Sequence, residues 1–93
     1  MIENMTTELN REINKVYECP DFYFMSLPRR NRYLFVNPVS TVIVDKKDHR
    51  CSLKLVPTPE CVYEREINEN PESRGGVKEI ASLVVKNILQ IYE

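Results

Sequence analysis

Residues 76–93 read GVKEIASLVVKNILQIYE, and they carry the clearest structural signal in the chain. The apolar residues of this stretch recur at steps of three and four, which places them in one stripe along a helix. The stripe consists of Val77, Ile80, Ala81, Val84, Val85, Ile88, Leu89 and Tyr92. A helix with one long apolar face needs a surface to cover it, and the chain before it supplies a series of strands.

Five segments upstream of this helix are typical of β-strands, because they are rich in β-branched or aromatic residues or alternate apolar with polar side chains. The five are residues 22–27, 33–36, 40–45, 50–56 and 61–67. In the last of them, Cys61, Tyr63 and Ile67 are expected to point inward. Tight turns cannot make parallel crossovers, so the short links between these segments predict an antiparallel meander.

Residues 6–18, TTELNREINKVYE, predict a helix near the start of the chain. Thr6 or Thr7 is its expected N-cap, since a hydroxyl can accept a hydrogen bond from the first turn. Pro20 ends it, because the residue before a proline is pushed out of the helical region. Its predicted apolar stripe is Leu9, Ile13, Val16 and Tyr17.

Residues 68–76, NENPESRGG, are the expected flexible loop, in which Gly75 and Gly76 allow a sharp turn into the last helix. The sequence therefore predicts a single α+β domain over residues 1–93. Its parts are an N-terminal helix, a four- to five-stranded mainly antiparallel sheet, and a long amphipathic C-terminal helix packed on the sheet.

Composition narrows the classes of function. The net charge is −1 and the pI is near 5.9, whereas general nucleic-acid and membrane binders are usually basic. Acidic and polar residues interrupt the N-terminal apolar residues, so the chain shows no signal peptide and no stretch of transmembrane length. We expect an intracellular protein, in cytoplasm or nucleus, with no membrane partner.

The positive charge is concentrated in the middle of the chain. Residues 29–50 carry six basic and two acidic side chains, while both flanks are net acidic. In a meander, the first and third strand turns lie at the same end of the sheet, so these cations are brought together there. The candidate anion- or nucleic-acid-binding residues are Arg29, Arg30, Arg32, Lys46, Lys47 and Arg50. Glu66, Glu69 and Glu72 arrive at the same end and would partly cancel the field.

The aromatic stretch FYFMSL at residues 22–27 is apolar on both faces of its strand. If the helices cover one face of the sheet, the residues pointing the other way form an exposed apolar patch, and such patches mark interfaces. The candidate protein-binding residues are Phe22, Phe24, Tyr33 and Phe35. The alternative for the same residues is packing within the core.

No motif points to catalysis or to a metal. The chain lacks nucleophile-elbow, phosphate-loop, zinc-protease and dinucleotide signatures. The lone His49 lies in a charged turn, and three scattered cysteines, Cys19, Cys51 and Cys61, make neither a disulfide framework nor a zinc site. Small buried cysteines in a reducing compartment explain them, and a Cys51–Cys61 bridge is the alternative. We therefore expect no enzyme, no catalytic residues, no metal and no cofactor.

The order of elements resembles that of two known families. A sheet flanked by two helices is similar in order to the double-stranded RNA-binding domain, whose second helix has a basic start; here the matching segment ESRGGVKEIA contains Arg74 and Lys78. The order also resembles that of RWD-type interaction domains, which bind proteins and often dimerise. Both resemblances lie in the order of elements and not in a motif.

The sequence favours a non-catalytic protein-interaction module, an adaptor or a self-associating domain. Its partner is then another protein or a second copy in a homodimer, bound through the aromatic strand surface or a sheet edge. The alternative is an RNA- or nucleic-acid-binding module that uses the basic turns at one end of the sheet.

Overall fold

The computed structural model describes residues 2–18, 20–27, 31–55 and 60–92. In chain order its elements are α1 (Ile2–Asn14), β1 (Tyr23–Leu27), β2 (Arg32–Val36), β3 (Ser40–Asp45), β4 (Arg50–Leu55), β5 (Cys61–Glu66) and α2 (Arg74–Tyr92). The strands form one sheet in the order β1-β2-β3-β4-β5, and each neighbouring pair is antiparallel. The predicted α+β meander with a helix at each end is therefore confirmed.

Both helices pack on the same face of the sheet, and alternation along the strands supplies the core there. Across the sheet, residues in register form rows, of which one is Phe24, Phe35, Val42, Leu53 and Tyr63. The helices contribute Met5, Leu9, Ile13, Val77, Ile80, Ala81, Val84 and Val85 to the same cluster. Burial of each aliphatic side chain in this cluster contributes about 1.5–3 kcal/mol to the stability of the fold. Packing on this face therefore holds the fold together.

The two helices lie side by side and run in the same direction. Asn4 and Met5 of α1 share a cleft with Arg74 of α2, which is the first residue of that helix. Farther along, Lys15 shares a cleft with Lys86 of α2. The starts of both helices are therefore at one end of the molecule.

α1 begins and ends earlier than residues 6–18, the predicted range. Thr6 and Thr7 lie inside the helix, so neither is its N-cap. The helix ends at Asn14, whose side-chain amide donates to the C=O of Asn10 at 2.8 Å. Such a side chain competes with the helical backbone, which favours termination. Val16 lies beyond this point and is 67% exposed, so the predicted stripe is wrong at that residue.

α2 begins at Arg74, slightly earlier than Gly76, and Ser73 is its N-cap. The hydroxyl Oγ of Ser73 accepts from the N–H of Gly76 at 3.0 Å and donates to the C=O of Asn70 at 2.6 Å. An N-cap hydroxyl that accepts from the third helical residue satisfies one of the free donors of the first turn. Gly75 and Gly76 are therefore part of the helix and not of a loop before it.

A β-bulge changes the orientation of the start of β5. Leu53 pairs with Tyr63 and the next residue, Lys54, pairs with Cys61, so Val62 is an extra residue in the ladder. Tyr63 is buried as predicted, but Cys61 is exposed. The expectation that Cys61 points inward is wrong, because the extra residue reverses the alternation at that position.

Candidate functional site

The candidate basic residues that the structure describes lie at one end of the sheet, and most of them are paired with carboxylates. Arg29 and Arg30 lie outside the described residues. Lys47 is exposed and makes no ion pair within the described chain. The observed pairs are Arg32 Nε with Asp45 Oδ2 at 3.3 Å, Lys46 Nζ with Glu72 Oε1 at 2.5 Å, and Arg50 with Glu64 at 3.0 Å and Glu66 at 3.9 Å. Among the described candidates, the charges of Arg32, Lys46 and Arg50 are therefore compensated, and that of Lys47 is not.

Asp45 organises the β3–β4 turn at this end of the sheet. Its Oδ1 accepts from the backbone N–H groups of Lys47 and Asp48, each at 3.0 Å. The hydrogen bond from Asp48 is the main reason that the pKa of Asp45 is lowered, and Arg32 adds to the effect. His49 closes the turn with a φ of 49°, and its C=O accepts from the N–H of Ile67 at 2.6 Å. The charged turn is thus held by structural bonds.

Tyr33, Lys46 and Glu72 form one polar cluster between the sheet and the start of α2. The hydroxyl of Tyr33 donates to Glu72 Oε1 at 2.7 Å, and the Lys46 ammonium lies 5.0 Å from the centroid of the Tyr33 ring. Hydrogen bonds from Lys46 and Tyr33 lower the pKa of Glu72, while burial and the bond to Glu72 raise the pKa of Tyr33. The bond to Glu72 also raises the pKa of Lys46, so Lys46 is held as a cation.

The four candidate protein-binding aromatic residues belong to the helix-covered side of the sheet. Phe22 is 1% exposed, Tyr33 is 8% exposed and Phe35 is fully buried, while Phe24 is half-buried. The Phe24 ring centroid is 5.6 Å from those of Tyr33 and Phe35, which is an ordinary aromatic packing distance. Their observed role is core packing, and they do not form an open contact surface.

The open face of the sheet, opposite the helices, carries the exposed apolar residues instead. Tyr23 is 69% exposed and Met25 is 53% exposed. Their cross-strand partners on β2 are Val36 and Leu34, and Leu34 is opposite Ile43 on β3. We call Tyr23, Met25, Leu34, Val36 and Ile43 the apolar half-face. Toward β4 and β5 the same face becomes charged.

The direction of the backbone groups on β2 follows from one hydrogen bond. In an antiparallel ladder the N–H and C=O of a residue point to the same side, and successive residues alternate sides. The N–H of Asn37 donates to the C=O of Ser40 at 3.0 Å, so Asn37 faces the β3 side. Phe35 then faces β3 as well, and Leu34 and Val36 direct their backbone groups to β1.

The free edge of β1 is defined by the same alternation. Tyr23 and Met25 are the partners of Val36 and Leu34, so their backbone groups bond to β2. Phe22, Phe24 and Ser26 direct their N–H and C=O groups the other way, to the outer edge of the sheet. The side chains of Tyr23 and Met25 thus lie beside a row of outward-facing backbone groups.

Asn10 of α1 bonds to the first of these outward-facing residues, Phe22. Its side-chain Oδ1 accepts from the N–H of Phe22 at 2.8 Å, and its Nδ2 donates to the C=O of Phe22 at 3.0 Å. One amide side chain thus replaces a partner strand at this residue. Within the described residues, no other group bonds to the outward positions of Phe24 and Ser26.

The two edges of the sheet differ in charge. β5 contains Glu64, Arg65 and Glu66, and charged residues on an edge strand oppose pairing with another chain. β1 reads YFMSL and contains no charged residue. The open backbone groups and the apolar half-face therefore occur together at β1.

The described cysteines do not form a bridge or a metal site. Cys51 is opposite Arg65 while Cys61 is opposite Lys54, so the register separates the two thiols, and both are free. Burial raises the pKa of the Cys51 thiol to about 12, which removes its nucleophilic form at neutral pH. In the part of the chain that the structure describes, no group of three or more His, Cys, Asp or Glu residues could hold a metal ion. Cys19 lies outside the described residues.

Among the described residues, no helix has the length and the apolar character needed to cross a membrane. Comparison of the chain with known protein families, with curated proteins and with solved structures finds no match.

Proposed function

We propose that this chain is a non-catalytic protein-interaction module that self-associates by pairing β1 with β1 of a second copy. The observation that carries the proposal is the open edge of β1, where the outward N–H and C=O groups of Phe24 and Ser26 have no partner within the described chain. Addition of a strand to an open sheet edge is a recurrent mode of protein recognition, in which main-chain hydrogen bonds give the affinity.

A second copy of the chain fits this edge. Two identical strands pair antiparallel about a two-fold axis, which is the symmetry of most homodimers. Because YFMSL has no charged residue, no like charges oppose one another in the pair. The side chains of Tyr23 and Met25 would meet those of the partner on the open face, and the apolar half-face would become continuous across the dimer.

The polar clusters of the molecule support a non-catalytic role. Tyr33 and Lys46 both bond to Glu72, and Asp45 accepts hydrogen bonds from the backbone of the β3–β4 turn. These polar groups therefore stabilise the fold. The nucleic-acid alternative has less support, because the described arginines of the turns are already paired with carboxylates.

The test uses proline at Ser26. Proline removes an N–H group, and the N–H of Ser26 points away from β2, so Ser26→Pro should keep the β1–β2 ladder while blocking one bond of a β1–β1 pair. Ser26→Ala keeps the N–H and is the matched control. By sedimentation velocity at high micromolar concentration, we expect dimers of the wild type and of Ser26→Ala, and monomers of Ser26→Pro.

A second variant acts through a side chain. Met25→Lys places a cation on the exposed face beside the edge, where the two copies would bring like charges together. We expect monomers with an unchanged circular dichroism spectrum. A wild type that stays monomeric at high concentration refutes self-association, and a dimer of folded Ser26→Pro places the contact on another surface.

A further inference from the structure

Between α1 and α2, on the side away from the sheet, the two helices form a continuous groove. Its two parts are clefts of about 210 and 450 Å³ that share Glu12 and Lys78. We call it the interhelical groove. It extends along α2 from Arg74 to Lys86, a distance of about 18 Å at 1.5 Å per residue, which matches about three turns of another helix.

Basic side chains dominate the rim of the interhelical groove. The charged residues that line it are five basic and two acidic, and the acidic ones are Glu8 and Glu12. The basic ones are Arg11, Lys15, Arg74, Lys78 and Lys86. The groove therefore carries a net positive charge in a chain whose total charge is −1.

Most of this positive charge is not compensated by direct contacts. Within the described chain, only Lys15 of the five makes an ion pair, with Glu12 at 3.0 Å. The hydrogen bond from Lys15 is the main reason that the pKa of Glu12 is lowered, and the charges of Lys78 and Arg11 add to it. The cations of the groove thus differ from Arg32, Lys46 and Arg50 at the end of the sheet, each of which is paired.

The groove also has apolar surface along its lower half. Ala81 and Val85 of α2 form its floor and are largely buried, and Val16 stands at its end with 67% of its surface exposed, so the apolar surface open to a partner is chiefly that of Val16. An exposed apolar side chain beside charged walls is suited to an amphipathic helix, whose apolar side chains recur at i, i+3, i+4 and i+7.

We propose that the interhelical groove binds an acidic amphipathic helix of a partner protein, which would lie between α1 and α2 as a third helix. Carboxylates of the partner would pair with Arg11, Lys78 and Lys86, while its apolar residues would cover Val16. This site is separate from the β1 edge and uses a different partner. The phosphates of a nucleic acid would pair with the basic side chains of the rim but would not cover the exposed side chain of Val16.

The test measures binding of designed peptides by fluorescence anisotropy at near-physiological salt. The probe is a labelled helical peptide with leucines at i, i+3, i+4 and i+7 and glutamates elsewhere. One control peptide has lysines in place of the glutamates, and another has serines in place of the leucines. We expect the glutamate–leucine peptide to bind and both controls to bind at least about tenfold more weakly.

The protein variants are matched in charge. Lys78→Glu with Lys86→Glu reverses two cations of the groove, and Lys47→Glu with Lys54→Glu reverses one cation of the β3–β4 turn and one of β4. The first pair should weaken binding about tenfold, while the second should change it by less than about twofold. The monomeric Ser26→Pro variant should bind like the wild type, which separates this proposal from self-association.

Three results would overturn the proposal. The first is no binding of the glutamate–leucine peptide to the folded wild type. The second is equal binding of the serine peptide, which would reduce the groove to a charged patch. The third is a duplex RNA that displaces the peptide and is itself sensitive to the Lys78 and Lys86 reversals, which would make the groove a nucleic-acid site.

Discussion

At the scale of single residues, position 76 requires glycine because of a close contact and not because of its backbone conformation. No described glycine has a positive φ. A Cβ on Gly76 would overlap the carbonyl oxygen of Asn70, which is itself fixed by the bonds from Ser73. At Gly75 the same Cβ would meet only the flexible carboxyl end of Glu69. The backbone of the turn before α2 therefore leaves no room for a side chain at Gly76, whereas at Gly75 only a flexible side chain is in the way.

Substitution of the two glycines by alanine should separate these effects. Gly76→Ala should lower the free energy of unfolding by about 1–3 kcal/mol, because the backbone around Asn70 has to move to accommodate the methyl group. Gly75→Ala should be neutral or raise it by up to about 1 kcal/mol, since alanine is the better helix former. Urea denaturation at neutral pH measures both, and equal effects at the two positions would contradict the contact argument.

Asn10 shows which residue-level features cannot be predicted from sequence. Asparagine is normally a weak helix former, and nothing in the local pattern of TTELNREIN distinguishes it from a solvent-exposed residue. Its function emerges only when α1 lies beside β1 and brings the amide to Phe22, twelve residues away. Such a contact depends on the tertiary arrangement, which the sequence pattern does not contain.

At the scale of elements, one cluster ties three parts of the chain together. Tyr33 belongs to β2, Lys46 to the turn after β3, and Glu72 to the segment before α2. The pKa of Glu72 is lowered, chiefly by its hydrogen bond with Lys46. A carboxyl group with a lowered pKa in the folded state stabilises the fold above its unfolded pKa, and this contribution is lost as the pH falls through the folded pKa.

Glu72→Gln should therefore have a pH-dependent effect. At pH 7 we expect the variant to be less stable than the wild type, because the ion pair with Lys46 is lost. As the pH falls below the ordinary glutamate pKa of 4.5, the wild type loses the same interaction and the two stabilities should converge. Urea midpoints from neutral to acidic pH give the comparison, and a difference that is constant with pH would show that Glu72 acts only by packing.

The boundaries of the strands could be predicted because local chemistry determines them. Ser40–Asp45 matches the prediction, and β1, β2 and β5 differ from it by a single residue at one end. The face of β1 that becomes exposed could not be predicted, since FYFMSL is apolar on both sides. Docking of the helices decides that Phe22 is buried and Tyr23 exposed, and a bulge that leaves no mark in the sequence exposes Cys61.

At the scale of the whole molecule, the helices cover one face of the sheet and leave the other open. The open face is apolar at β1 and β2 and charged at β4 and β5, so it is divided across the sheet. The charge pattern of the sequence predicts an anion site at the end of the sheet, where the described Arg32, Lys46 and Arg50 are paired with carboxylates and Lys47 is not. Within the described chain, cations without an ion pair also lie between the helices, where residues distant in sequence come together.

Self-association should make thermal stability depend on concentration. A partner that binds only the folded state stabilises it by mass action, so the melting temperature of the wild type should rise with protein concentration. The melting temperature of Ser26→Pro should stay constant over the same range. Differential scanning calorimetry of both proteins provides the test, and parallel behaviour of the two would argue against pairing through β1.

The order of strands in the sheet has a further consequence for how the chain reaches its fold. Every strand pairs with its neighbour in sequence, so the sheet can form from a succession of hairpins, each closed by a short loop. Short loops have a low entropic cost of closure, which favours early pairing of neighbouring strands. The contact between α1 and α2 joins the two ends of the chain and has the longest loop to close. We therefore expect the helical layer to assemble late in folding, on a sheet whose register the hairpins have set.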